Sequence, residues 1–308
     1  MTAWAIAKRR LPEFSHKNSP KKFTQHQLFA CLVLKLFLKT DYRGLMEHLQ
    51  DCPSLREAIE LHKVPHYTTF QKAARRLLIS KHVNQLLDET VQAMMGRKRK
   101  VLLAAIDSTG LESHHISPYF VRRREHRSKR GQTSQYTRFP KLGVLIDCSN
   151  HFILGYLTDQ GPKPDVQDLE PTLKQTSSHI RIEWLTADAG YDSESNHRLC
   201  REEHNIKTLI PPKHGRPTTK PAKGRYRRRM QTHFDHEKYG QRWQAETVMS
   251  MIKRNLGIAT TGRSYWARRR DLMLIVLTHN IMILWHIKVF YKANRGPFSL
   301  TSEMHHFR

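Results

Sequence analysis

The stretch VLLAAID, residues 101–107, is an apolar run of strand length that ends on an acid. The pattern returns in IRIEWLTAD, residues 180–188, which ends on Asp188. An apolar run this short, bounded by polar chain, reads as a strand buried on both faces. Between the two runs lie FPKLGVLID, residues 139–147, and HFILGYLT, residues 151–158, joined by CSN, which read as a hairpin. DVQDLEPTLKQ, residues 165–175, reads as a helix capped by Asp165, SESNHRLCREEHN as a second helix, and IKTLIPP as a further strand. The order is three strands, helix, strand, helix, strand and long helices, a mixed α/β sheet with an antiparallel hairpin.

Outward from this core, residues 1 to about 95 read as helical. TQHQLFACLVLKLFLKT carries an apolar face from Leu28 to Leu38, with Thr24 as N-cap. SLREAIELHK forms a second helix after Pro53. VPHYTTFQKAARRLL reads as a turn and a basic helix, capped by Thr68 or Thr69, from which Arg75 and Arg76 project. Helix, turn and basic helix fit either a helix-turn-helix or a plain helical bundle. RKRK at 97–100 marks the change of texture. The expected division is a helical region at 1–96, a catalytic domain at 97–292 and a tail at 293–308.

The chain of 308 residues has a net charge of +26, from 53 Lys and Arg against 27 Asp and Glu. Such an excess is a footprint for a polyanion. The bases are spread along the chain rather than confined to one amphipathic helix, which favours nucleic acid over a membrane surface. Arg122 to Arg124 and Arg127 to Arg130 form either a phosphate patch or a solvated loop. KHGRPTTKPAKGRYRRRM, residues 213–230, has no acid and reads as a flexible basic loop. Cys31, Cys52, Cys148 and Cys200 form no CxxC pair, and the N-terminal residues lack a long apolar core, so free thiols in a reducing cytoplasm are expected. LMLIVLTHNIMILWHI, residues 272–287, is short of the roughly 20 residues of a membrane span. Thr278, His279 and Asn280 interrupt it, and a buried core helix is expected.

Asp107 and Asp188 end two strands, and in open α/β sheets ligands gather at such ends. A third acid, Glu246, lies in YGQRWQAETVMSMIK, residues 239–253. On one helix, Arg242, Lys253 and Tyr239 fall at roughly −40°, −20° and +20° from Glu246, on one narrow face. That face is either a solvated stripe with an Arg242–Glu246 pair or a functional one. Three carboxylates brought together repel one another and normally hold a cation. Oxygen-only ligation favours Mg²⁺ or Mn²⁺, and two such ions about 4 Å apart suit in-line phosphoryl displacement. Arg242 and Lys253 would then hold the flanking phosphates. Asp192 competes with Asp188 as the second ligand, but Asp192 or Ser193 sits where a helix cap belongs, so Asp188 is assigned to metal and Asp192 to the cap. Asp107 as a plain strand-end turn residue and Trp243 as a base-stacking or a core residue stay open. Asp147 reads as a turn residue and Glu112 as a surface acid.

YGQRWQAETVMSMIK matches Tyr-x2-Arg-x3-Glu-x6-Lys and resembles the DDE-superfamily insertion-sequence transposases, in the branch named for insertion sequences four and five. AIDSTG resembles that family's first-aspartate motif and TADAGYDSESNHRL its second; the resemblance covers roughly 101–288. It implies a ribonuclease-H-like mixed-sheet catalytic core behind an all-helical N-terminal domain. Asp107, Asp188 and Glu246 would be the catalytic, metal-binding triad, with Mg²⁺, or Mn²⁺ in its place, as a pair of ions. Tyr239, Arg242 and Lys253 would contact transposon-end DNA. The implied activity is cleavage at the element's ends and joining of the 3′ ends to target DNA, by a homodimer on the DNA, in the prokaryotic cytoplasm at the nucleoid. Some relatives carry a large β-rich insertion before the glutamate; here 57 residues separate Asp188 and Glu246, so hairpin-forming chemistry is not carried over. The rival reading is a catalytically silent or repurposed sequence-specific DNA-binding protein.

Overall fold

The computed structural model describes residues 1–96, 100–113, 138–176, 180–213 and 221–293. The stretches 122–130, 214–220 and 294–308, which hold the arginine runs, part of the basic loop and nearly all of the expected tail, lie outside the described residues.

Residues 1–96 fold into helices α1 (Thr2–Arg10), α2 (Gln25–Phe37), α3 (Tyr42–Asp51), α4 (Pro53–Glu57), α5 (Tyr67–Leu77) and α6 (Ser80–Met95). Thr24 caps α2 as expected, in a capping box: Gln27 N donates to Thr24 Oγ1 and Thr24 N to Gln27 Oε1. The basic helix α5 differs from expectation. It starts two residues earlier, at Tyr67, with no side-chain cap, and Thr68 Oγ1 instead meets His66 Nδ1 at 2.9 Å. Arg75 projects into solvent, whereas Arg76 turns inward to Gln25 of α2 at 3.3 Å.

The sheet contains β1 (Lys100–Gly110), β3 (Phe139–Asp147), β4 (Ile153–Gly161), β5 (Arg181–Thr186) and β6 (Lys207–Leu209), in the order β4-β3-β1-β5-β6. The first two neighbouring pairs are antiparallel and the last two parallel, which is the ribonuclease-H-like mixed sheet. A two-stranded ribbon pairs β2 (Glu112–Ser113) with β7 (Ala259–Thr260). β1 does not stop at Asp107. Its parallel pairing with β5 ends at Ala105 opposite Thr186, while its antiparallel pairing with β3 continues to Gly110. Asp107 therefore sits where β5 has peeled away, still held in strand geometry from the other side.

The remaining helices are α7 (Leu169–Lys174), α8 (Glu194–Arg198), α9 (Arg225–Thr232), α10 (His236–Gly240), α11 (Trp243–Leu256) and α12 (Tyr265–Ala293). Asp165 starts a 3₁₀ turn, Asp165–Gln167, ahead of α7 and makes no side-chain cap. The basic stretch 213–230 is not all loop, because α9 forms within it. Glu194 accepts the backbone N–H groups of Tyr226 at 3.1 Å and Arg227 at 3.2 Å, satisfying donors at the start of that helix.

The apolar run of 272–287 belongs to a 29-residue helix, longer than its sequence suggests. Residues Tyr265–Val289 are long and apolar enough to cross a membrane, with a mean hydropathy of 1.7, yet most of the span is buried inside the fold. The polar triplet explains the packing. Asn280 accepts from Ile153 N and donates to Ile153 O, both at 2.9 Å, and donates to Thr90 Oγ1 at 3.0 Å. It thus ties α12 to β4 and α6 at once. His279 meets the His151 carbonyl at 3.0 Å, and burial lowers its pKa to about 4, so the ring is neutral.

Candidate active site

Asp107 is half-buried on β1 and accepts the Ser108 N–H at 2.8 Å. Burial raises its pKa; the Ser108 donor and the Arg242 charge work against this, and the Asp188 and Asp165 carboxylates reinforce it. Asp188 follows β5 by two residues. It heads a 3₁₀ turn, Ala189–Tyr191, and its Oδ1 accepts the Gly190 N–H at 2.8 Å. The two aspartates thus leave neighbouring parallel strands at the same end of the sheet and sense each other electrostatically.

The third candidate, Glu246, lies in the first turn of α11, which packs across β1 and β3. Its carboxylate is exposed and pairs with Arg242 at 2.6 Å. Hydrogen bonding to Glu246 and the charges of Glu246, Tyr239 and Asp107 raise the Arg242 pKa against the opposing effect of burial. Arg242 therefore pairs with Glu246 and lies in the field of Asp107.

The expected single helix is broken. Tyr239 lies on α10, capped by Asp235, and Arg242 is the N-cap of α11. The junction is bonded i to i−3: Arg242 N to Tyr239 O at 2.9 Å, Ala245 N to Arg242 O at 3.0 Å. That 3₁₀ winding is tighter than an α-helix and turns Tyr239 away from a strict helical face. Tyr239 packs edge-on against Phe234, with ring centroids 5.0 Å apart. Lys253 is half-buried in the last turn of α11. Trp243 is 53% exposed, so it is not a core residue.

The acids near the second motif divide their roles differently from the sequence expectation. Ser193 caps α8 by accepting the Asn196 N–H at 3.0 Å. Asp192 is instead fully buried and anchors Arg227 of α9 at 2.6 Å. Burial alone would raise the Asp192 carboxyl, but the His197 ring, the Arg227 guanidinium and the Lys213 N–H hold it at about 2. Asp147 is a turn residue, as expected, accepting from Ser149 and Asn150. Glu112 is exposed on β2.

Two further acids and a lysine stand at the site without having been expected there. Lys141, buried on β3, pairs with Asp165 at 2.7 Å and Asp168 at 2.6 Å. The signal was present: FPKLGVLID places one lysine inside a strand whose residues are otherwise apolar at its centre.

Among the described residues no three of His, Cys, Asp and Glu stand close enough together to hold a metal ion. Asp107 and Asp188 offer the oxygen donors that suit a hard divalent cation. Glu246 is turned onto Arg242. An apolar cavity of about 310 Å³ opens elsewhere, between α1, α2, α4 and α12, and carries none of these carboxylates.

No curated protein matches the chain in sequence. Among solved structures, the Mos1 mariner paired end complex with Mn aligns at 12% identity and a TM-score of 0.22, over 90% of this chain and 86% of that one. A pre-cleavage Mos1 transpososome aligns at 13% identity and a TM-score of 0.20, over 90% and 82%. Both likenesses are too faint in shape to assign anything. The family described as Transposase DDE domain matches residues 99–281, more than half of the chain, and that stretch contains Asp107, Asp188, Glu246, Tyr239, Arg242 and Lys253. The chain belongs to the transposase DDE domain family.

Proposed function

We propose that the protein binds the ends of an insertion sequence, cleaves DNA strands there and joins the freed 3′ ends to target DNA. The observation that supports this reading is that Asp107 and Asp188 lie at the same end of two adjacent parallel strands, with Glu246 on the helix that packs across β1 and β3. Asp107 and Asp188, joined by Glu246 once it leaves Arg242, would hold Mg²⁺ or Mn²⁺, two ions in all. A bound divalent cation would supply Lewis-acid activation of the attacking oxygen and charge stabilisation at the leaving oxygen.

The chain's own residues orient and hold. Arg242, Lys253 and Tyr239 contact the end DNA, the first two through backbone phosphates. A phosphate that engages Arg242 competes with Glu246 for the guanidinium and releases the carboxylate toward Asp107 and Asp188. In the first step a water oxygen bonds to phosphorus and the element's 3′-oxygen leaves as a hydroxyl. In the second, that hydroxyl attacks a target phosphodiester, expelling the target's 3′-oxygen. One phosphodiester replaces another, so no nucleotide is consumed.

The net charge of +26 supports a polyanionic partner. A homodimer, one protomer per element end, is the expected assembly, acting on DNA in the cytoplasm. End recognition falls either to the helices of residues 1–96 or to the basic segment around α9. The rival reading, a silent DNA-binding protein, is separated by Glu246→Gln. That variant should keep end binding in a mobility-shift assay and lose cleavage. Lost binding with cleavage retained in the residual complexes would contradict the assignment. Terminal inverted repeats and short target duplications around the gene would further separate a mobile element from a repurposed copy.

A further inference from the structure

Lys141 is 5% exposed on β3, between β4 and β1. A buried ammonium is costly unless its charge and its protons are matched. Here they are: Nζ pairs with Asp165 Oδ1 at 2.7 Å and Asp168 Oδ2 at 2.6 Å and donates to the Lys163 carbonyl at 2.8 Å. Asp165 is thereby pinned in place, and both of its oxygens border the candidate active site.

On one side, Ser108 Oγ donates to Asp165 Oδ1 at 2.6 Å, while the N–H of the same serine donates to Asp107 Oδ1 at 2.8 Å. On the other side, Asp165 Oδ2 faces Gly190, whose N–H holds Asp188 Oδ1 at 2.8 Å. A methyl group at Gly190 would lie 2.9 Å from Asp188 Oδ1 and 3.4 Å from Asp165 Oδ2. A side chain there would press on Asp188 Oδ1 and shift it, while Asp165 Oδ2 would remain in ordinary contact. The Tyr191 hydroxyl is fully buried beside this group without a partner, in the field of Asp165, Asp107, Asp168 and Asp188.

We infer that Asp165, pinned by Lys141, is a positioning residue that sets the placement of Asp107 through Ser108 and of Asp188 across Gly190. The inference rests on the reading of Asp107 and Asp188 as metal ligands. Asp165 touches neither DNA nor the reacting atoms in this role. It fixes two mutually repelling carboxylates relative to one another. Outer residues of this kind typically change metal affinity by about 10- to 100-fold when removed.

The test is Mn²⁺ binding to the full chain without DNA, read from the paramagnetic resonance of free aquo Mn²⁺, on variants whose folding is checked by thermal unfolding. Asp165→Ala should weaken binding by about 10-fold or more. Asp165→Asn keeps an oxygen that accepts the Ser108 proton and should recover part of the loss, whereas a pure charge effect makes the two variants equal. Ser108→Ala should weaken binding in the same direction, and it decides the matter if Asp165→Ala does not fold. Wild-type Mn²⁺ affinity in folded Asp165→Ala, or in Ser108→Ala, with binding lost in Asp188→Asn, would overturn the inference and leave the site reading standing. A wild type that binds no Mn²⁺, or Asp188→Asn that binds like wild type, would instead overturn the site reading beneath it.

Discussion

Arg242 Nη2 and Glu246 Oε1 stand 2.6 Å apart across one helical turn, and the same guanidinium lies in the field of Asp107. One cation thus links the helix acid to the strand acid. The pair is partly solvent-exposed, so its contribution to stability is small, between 0 and about 1 kcal/mol. Its importance is where it holds the two charges.

Arg242→Gln should therefore leave thermal stability almost unchanged and act on DNA. Removing one phosphate contact should weaken end binding and reduce the slope of log K against log salt by about 1. A binding curve measured over a range of salt checks this. An unchanged slope would remove Arg242 from the DNA interface.

Lys141→Met leaves Asp168, 2% exposed, without its counter-ion. Breaking a buried pair from one side typically costs about 3–5 kcal/mol. Urea unfolding should show a loss of that order, and adding Asp168→Asn to the same chain should restore part of it. A loss below about 1 kcal/mol would mean that the pair is not held in solution as it is in the structure.

Asp192 gives the expected acid response. Its folded pKa of about 2 lies below the ordinary 3.8, so the stability it contributes is present above 3.8 and is lost as pH falls toward 2. The contribution is on the order of 2 kcal/mol. Asp192→Asn should be less stable at neutral pH and should show a flatter decline through this acid window in a denaturant titration. The same steepness in both proteins would contradict the assignment of Asp192, held by His197, Arg227 and the Lys213 N–H, as its source.

Much of the core was legible because its physics is local. The runs ending at Asp107 and Asp188 are apolar over strand length and lie next to each other in the sheet. Thr24 and Gln27 sit three apart and form the capping box their spacing implies. What was missed is decided by distant partners. Asp165 looks like a cap because an acid precedes a helix, yet its partner is Lys141 on another strand. The all-basic segment at α9 has no apolar period, and its helix depends on Glu194 from outside the segment. The buried core helix at 272–287 was expected; what distance hid is that β4 and Thr90 satisfy the amide of Asn280 inside it. The Arg242–Glu246 pair follows from its spacing of four and is present at 2.6 Å, whereas the break after Tyr239 is a matter of geometry that spacing alone leaves open.

The most direct test of the central claim is Mg²⁺-dependent cleavage of the element's own terminal DNA, wild type against Asp188→Asn. The account predicts nicking at the element end by the wild type and none by the variant. Binding without cleavage by the wild type, in Mg²⁺ or Mn²⁺ and with both ends supplied, would contradict it.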